Sequence, residues 1–163
     1  MSATEKYLAN NRQYAVNRRH GALPAVPSQG VAVVACMDAR MDLYRILGLG
    51  EGEAHVICNA GGVVTADVLR SLLISQRLLG TKEVILINHT ECGMLSFKED
   101  DVKEAVAQEV GEKPSFSLHA FSDLVENVRD GLRRIRNDPF LKHRNQARGF
   151  IFDVVTGQLS EVT

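Results

Sequence analysis

The chain has 163 residues, 45% hydrophobic and 24% charged, with a formal net charge of −1. That length suits one domain, expected to span residues 1–163, with enough core to need no disulfide staples. The near-neutral charge leaves no electrostatic footprint for nucleic acid or an anionic membrane.

Residues 3 to 18 predict a mostly polar helix with sparse apolar positions at Tyr7, Leu8, Tyr14 and Val16. Such a helix has little core of its own, so residues 1–20 are expected to form a helical arm lying across a surface. Gly21 to Gly30, with two prolines, is a loop. VAVVAC (31–36) is a continuous valine-rich run, as in a strand buried on both faces. Met41 to Leu47 predicts a short helix stopped at Gly48, AHVIC (54–58) a second strand, and NAGG (59–62) a tight loop.

Thr65 is placed to cap a helix over 66–79, with Val68, Leu69, Leu72, Leu73, Leu78 and Leu79 inward and Gly80 closing it. EVILIN (83–88) reads as a third strand entering the loop HTECGM. Helices are expected near 99–110 and 121–136, then a fourth strand over 149–155 and a short extension after Thr156-Gly157. The basic stretches 129–136 and 142–148 are broken by acidic and apolar residues, as on a solvated helix face.

Strands alternating with helices predict an α/β fold, a parallel-rich sheet flanked by helices. Functional groups in such folds gather at the carboxyl ends of strands. Cys36 ends the first strand and His89 directly follows the third.

His89 and Cys92 form an H-x-x-C pair followed by Gly93, a turn able to aim an imidazole and a thiolate at one point. Cys36 is far upstream but at a neighbouring strand end. Two thiolates and an imidazole suit Zn2+, and three protein ligands leave the open position of a catalytic site. Ligand chemistry alone leaves alternatives standing. Cysteines in strands are commonly small hydrophobes, and Cys58 offers a fourth donor for a structural Cys₃His site.

Cys36-Met37-Asp38-Ala39-Arg40 adds weight. If the chain stays extended, Cys36, Asp38 and Arg40 share one side. Two thiolates and an imidazole bring bound zinc to a formal charge of zero, so a nearby unpaired carboxylate would further oppose acidification of solvent. Arg40 would cancel that penalty and orient Asp38. The competing reading has Asp38 or Asp42 capping the next helix and Arg40 on the surface.

ACMDAR (35–40), NAGG (59–62) and HTECGM (89–94), in that order, resemble the β-class carbonic anhydrases, in their short bacterial branch. The likeness runs from about Tyr7 to Val162. It implies a β-carbonic anhydrase-like fold and one zinc per chain, held by Cys36, His89 and Cys92 with solvent in the fourth place. It implies Asp38 and Arg40 as the catalytic dyad, and the NAGG loop and Gly93 as parts of a small pocket. The reaction implied is reversible hydration of carbon dioxide to bicarbonate. Carbonyl sulfide or carbon disulfide hydrolysis is the alternative, because related short enzymes share these motifs.

The resemblance also implies a homodimer or an assembly of dimers, with the N-terminal helix over the neighbour. No nucleic-acid or membrane partner is expected. The polar N-terminus lacks the apolar segment of a signal peptide, and no apolar run approaches the roughly 18 to 20 residues of a membrane span, so the cytoplasm is the expected compartment.

Cys58 stands where many members carry an arginine that, in bicarbonate-inhibited relatives, helps hold a non-catalytic anion. It reads as a packed strand residue. Asn88 stands where a second histidine is frequent, and is expected outside the ligand set. His20, His55, His119 and His143 read as solvated surface residues, with proton relay as the alternative. Gly48-x-Gly50-x-Gly52 follows a helix rather than a strand, which excludes a dinucleotide-binding turn.

Overall fold

The computed structural model describes residues 2–18 and 21–163. Five strands form one sheet: β1 (Val31–Cys36), β2 (Ala54–Asn59), β3 (Glu83–His89), β4 (Ala147–Phe152) and β5 (Leu159–Val162). Their spatial order is β2-β1-β3-β4-β5. β1 pairs in parallel with β2 and β3, β3 in parallel with β4, and only β5 runs antiparallel. After β1 the chain therefore steps to one side for β2 and to the other for β3. The crevice between the carboxyl ends of β1 and β3 is the topological switch point, where open α/β sheets hold their ligands.

Alternation along the central strands divides the core in two. Ala32, Val34, Val84 and Leu86 pack with α3 (Ala66–Arg77) and α5 (Leu124–Asn137) through Val68, Leu72, Val128, Leu132 and Ile135. Val33, Ala35 and Ile87 pack on the other face with Met41, Met94 and Phe152, and with Leu43 of α2 (Leu43–Leu47). β1 is fully buried after its first residue, as a run without polar alternation requires.

Helix starts follow local chemistry. The Thr65 hydroxyl accepts from the Val68 N–H, Asp42 caps α2 through the Arg45 N–H, and Asp123 caps α5 through the Glu126 N–H. The Asp123 cap explains why α5 begins three residues after the expected start. α2 ends at Gly48 in the left-handed conformation (φ 67°). α1 (Ala3–Asn17) carries a Ser2–Glu5 capping box yet buries none of its side chains, and α4 (Glu99–Val110) likewise buries none.

Three expectations are corrected. α3 stops at Arg77, and Leu78, its C-cap, keeps helical backbone with its N–H on the Ile74 carbonyl. Helical phase turns it away from the side carrying Val68 and Leu72, so it is 73% exposed rather than inward. Ser75 and Gln76 are buried instead. Ser75 is satisfied by Thr81, and Gln76 accepts from the His143 backbone N–H. The fourth strand covers 147–152 rather than 149–155, because the Asp153 carboxylate accepts from the Val155 and Thr156 N–H groups and starts a turn. The terminal extension is itself a strand, β5, returned along β4 by Gly157 at φ 75°.

Candidate metal centre

Cys36 is the last residue of β1 and His89 the last of β3, adjacent strands that deliver both side chains to the same crevice. Cys92 follows His89 through a tight turn whose residue Glu91 takes left-handed backbone (φ 55°). All three side chains are buried, and their donor atoms lie within 4.8 Å of one another.

The donor set fits a metal ion on two observations. His89 Nδ1 lies 2.8 Å from the Thr90 carbonyl, which can only accept, so Nδ1 carries the proton and Nε2 presents a lone pair. That Nε2 is fully buried, without a hydrogen-bond partner among the described residues, and 3.6 Å from Asp38 Oδ2. A buried lone pair facing a carboxylate and two sulfurs is electrostatically unfavourable until a cation sits among them. Burial, reinforced by neighbouring Cys36, pushes the Cys92 thiol up, so metal uptake must displace its proton.

Asp38 and Arg40 pair, although the chain does not stay extended. It turns after Asp38, with the Met41 N–H donating to the Asp38 carbonyl. Asp38 Oδ1 accepts from the Arg40 backbone N–H and from Nε, both at 2.9 Å, while Oδ2 accepts from Nη2 at 2.9 Å. A two-point Arg–carboxylate contact and an Asx turn thus close on the same side chain. Arg40 holds the Asp38 carboxyl far below its ordinary 3.8 through its side chain first and its backbone N–H second. The capping role in the competing reading belongs to Asp42.

Sequence reasoning missed two partners. Glu91 fixes the far side of Arg40, accepting from Nη1 at 3.2 Å on Oε2 and from Nη2 at 3.1 Å on its carbonyl. Asn88, buried in β3, donates to the Gly61 carbonyl at 2.7 Å. The polar residue inside EVILIN was the available signal for it. Glu91 gave none.

The NAGG segment forms a single 3₁₀ turn over 60–62, bracketed by Asn59. Its amide donates to the Val63 carbonyl (2.8 Å) and accepts from the Val63 N–H (2.9 Å). At Gly62 (φ 60°) an added Cβ would stand 2.8 Å from the Cys36 nitrogen, so glycine is required for the turn to lie on β1. A cavity of about 520 Å³ opens here, lined by Asp38, Arg40 and the cysteines and walled by Met37, Ala39, Ala60, Gly61, Gly93 and Met94.

Cys58 is outside the donor cluster and exposed on the edge strand β2, not packed. That arrangement removes the four-donor structural alternative. The accessory histidines are less solvated than expected. His55 is half-buried against the Ser75 hydroxyl, and His119 and His143 are also half-buried; His20 lies outside the described residues.

Fold and site together define an α/β metalloprotein with a Cys₂His donor set beside an Asp–Arg pair. A family model described as carbonic anhydrase matches residues 31–159. Beta-carbonic anhydrase 1 of Mycobacterium tuberculosis (strain ATCC 25618 / H37Rv) is 58% identical over 163 residues, covering 100% of this chain and 99% of that protein. A carbon disulfide hydrolase of Acidithiobacillus thiooxidans is 31% identical, covering 95% of this chain and 86% of its own length. Among solved structures, carbonic anhydrase from Streptococcus mutans superposes with a TM-score of 0.94 at 35% identity, covering 100% and 99% of the two chains. The chain belongs to the carbonic anhydrase family, in its β class.

Proposed function

We propose that this chain is a zinc enzyme catalysing the reversible hydration of carbon dioxide to bicarbonate and a proton. Cys36, His89 and Cys92 are the zinc ligands in this reading, and Asp38 and Arg40 the catalytic pair. The observation that carries it is the buried His89 Nε2, without a hydrogen-bond partner among the described residues, set among two buried cysteines and 3.6 Å from the carboxylate that Arg40 pairs.

A zinc bound there supplies Lewis acidity and acidifies a solvent molecule, an effect whose standard example is the three-histidine carbonic anhydrase site. Asp38, whose carboxyl Arg40 holds well below its ordinary value, would accept the hydrogen bond of the attacking solvent molecule and turn its lone pair toward the substrate carbon. Arg40 fixes the direction of that carboxylate and cancels its charge near the donors. The small, mainly apolar walls suit an uncharged linear substrate better than a charged one. Addition of water to carbon dioxide releases one proton, which leaves to buffer.

A second reading, hydrolysis of carbonyl sulfide or carbon disulfide, is favoured by the same apolar walls. The reading also includes a cytoplasmic, single-domain chain acting as a homodimer or an assembly of dimers. The assembly part of it is supported by a helix, α1, that buries nothing within its own chain. No helix among the described residues is long and apolar enough to cross a membrane.

The deciding experiment measures kcat/KM for carbon dioxide and carbonyl sulfide on one preparation with its zinc quantified. One zinc per chain and faster carbon dioxide turnover are expected. Metal-free active protein, or a much larger constant for the sulfide, would overturn the assignment.

A further inference from the structure

By alternation Val84, Leu86 and Asn88 share one face of β3, and the first two belong to the apolar core against α3 and α5. Asn88 continues that row with only 1% of its surface exposed. A carboxamide in such a place is costly unless its hydrogen bonds are made. Its Nδ2 donates to the Gly61 carbonyl at 2.7 Å, while its Oδ1 is buried with no hydrogen-bond partner among the described residues, so the Gly61 bond is what the carboxamide makes there.

Gly61 is a wall of the cavity, at φ 79°. Behind it there is no slack. An added Cβ would come within 2.9 Å of Met94 Cγ and 3.0 Å of Phe121 Cε1. The ends of the turn are fixed by the Asn59 bracket, and Gly62 lies on the backbone of β1 and β3. The Gly61–Gly62 peptide is the remaining adjustable part, and its plane is set by where its carbonyl points. Asn88 sets it.

We infer that Asn88 is a specificity-determining positioning residue: through the Gly61 carbonyl it fixes the Gly61 part of the wall of the cavity that Asp38 and Arg40 also line, and so the length of linear substrate the pocket takes. The assignment of substrates rests on the proposed activity; the tie between Asn88 and the wall does not. Asn88 touches neither substrate nor metal in this scheme. Loosening the wall admits a longer molecule more readily, so carbonyl sulfide gains relative to carbon dioxide. An effect on chemistry itself would fall on both substrates alike.

Two substitutions separate these outcomes. Asn88→Leu keeps the branched shape, with somewhat more bulk, but leaves the Gly61 carbonyl without its donor, whereas Asn88→Gln keeps a carboxamide on a longer arm. Asn88→Leu is expected to retain its zinc, raise KM for carbon dioxide about tenfold with kcat changed far less, and raise the carbonyl sulfide to carbon dioxide ratio of kcat/KM several-fold. Asn88→Gln should recover most of the KM. Equal losses for both substrates, or an unchanged KM, would overturn the inference. Asn88→Ala serves the same comparison if the leucine does not fold.

A readout free of activity accompanies these assays. Amide hydrogen exchange over residues 60–63, in metal-free and zinc-loaded protein, should quicken at least tenfold in Asn88→Leu relative to wild type. Unchanged exchange there would refute the clamp even in an active enzyme. A wild type without zinc or turnover would refute the activity instead, leaving the exchange comparison to decide on the clamp.

Discussion

Asp38 is surrounded by groups that keep it charged and aimed. Its two oxygens take three hydrogen bonds from Arg40, and Arg40 is in turn held by Glu91. A carboxylate whose folded pKa lies below its ordinary 3.8 contributes stability that is present above that value and lost only as pH falls below it. From pH 6 to 9 Asp38 therefore does not titrate, and at constant zinc occupancy the pH dependence there belongs to the solvent nucleophile; metal uptake, which must displace the Cys92 proton, is followed separately by zinc analysis. With two thiolates among the ligands, turnover should climb toward alkaline pH; a flat profile from 6 to 9 would contradict the charge argument. Asp38→Asn and Arg40→Ala should each keep zinc, measured by metal analysis, while losing roughly a hundredfold in kcat/KM. Arg40→Ala leaves the carboxylate unpaired near the metal and should move the alkaline midpoint upward. Full turnover in both variants would remove the pair from the mechanism.

At the scale of elements, one face of the core depends on how closely α5 seats on the sheet. An added Cβ at Gly149 would lie 2.4 Å from Val128 Cγ1 and 3.0 Å from Leu132 Cδ1, so the strand approaches the helix only because it lacks a side chain there. Gly149→Ala should cost about 1–3 kcal/mol in urea unfolding, while Gly21→Ala, with open space around it, should be nearly neutral. Glu99, at the start of α4, gives a second test. The Lys103 ammonium first, with the Leu118 backbone and the Ser117 hydroxyl, holds its carboxyl down to about 2 from an ordinary 4.5. The stability it adds is complete above pH 4.5 and lost as pH falls toward 2. Glu99→Gln should therefore melt below wild type at pH 7, and the gap should close below pH 2. Much of this architecture was legible because it rests on periodicity and caps. VAVVAC could only be a buried strand, and Thr65 and Gly48 mark real helix ends. The Asp38–Arg40 pairing was foreseen on a mistaken premise, since an Asx turn rather than an extended strand makes it. Side-chain-to-backbone bonds such as that one, the Asp153 turn and the Asn88–Gly61 tie carry no periodic signal. β5 escaped because four residues at an edge show too little alternation, and Leu78 misled because its apolar character hides that its helical phase turns it away from Val68 and Leu72.

For the whole molecule, the unresolved energy lies in α1. A helix of fifteen residues with none of its side chains buried has little reason to hold its shape alone. Yet Tyr7, Leu8, Tyr14 and Val16 are all at least half exposed on it, apolar surface that water disfavours. Its ties to the rest of the chain are polar and exposed, the Tyr14 hydroxyl and Arg18 both meeting Glu51. Exposed ion pairs contribute about 0–1 kcal/mol each, too little to order such an arm. Burying those four side chains on a second copy of the chain would supply what the fold lacks. The prediction is that light scattering finds a mass of two chains, or a multiple of two, at micromolar concentration. Removing residues 1–20 should then lower the mass toward one chain and depress the melting temperature, because assembly stabilises by mass action. Cys58 is exposed on edge strand β2 and outside the metal cluster, so Cys58→Ser should leave zinc content and the mass of the full chain unchanged. A full-length protein that runs as a single chain and melts at the same temperature with or without its first twenty residues would show that α1 needs no partner, and would remove the dimer from the proposed function while leaving the metal site standing.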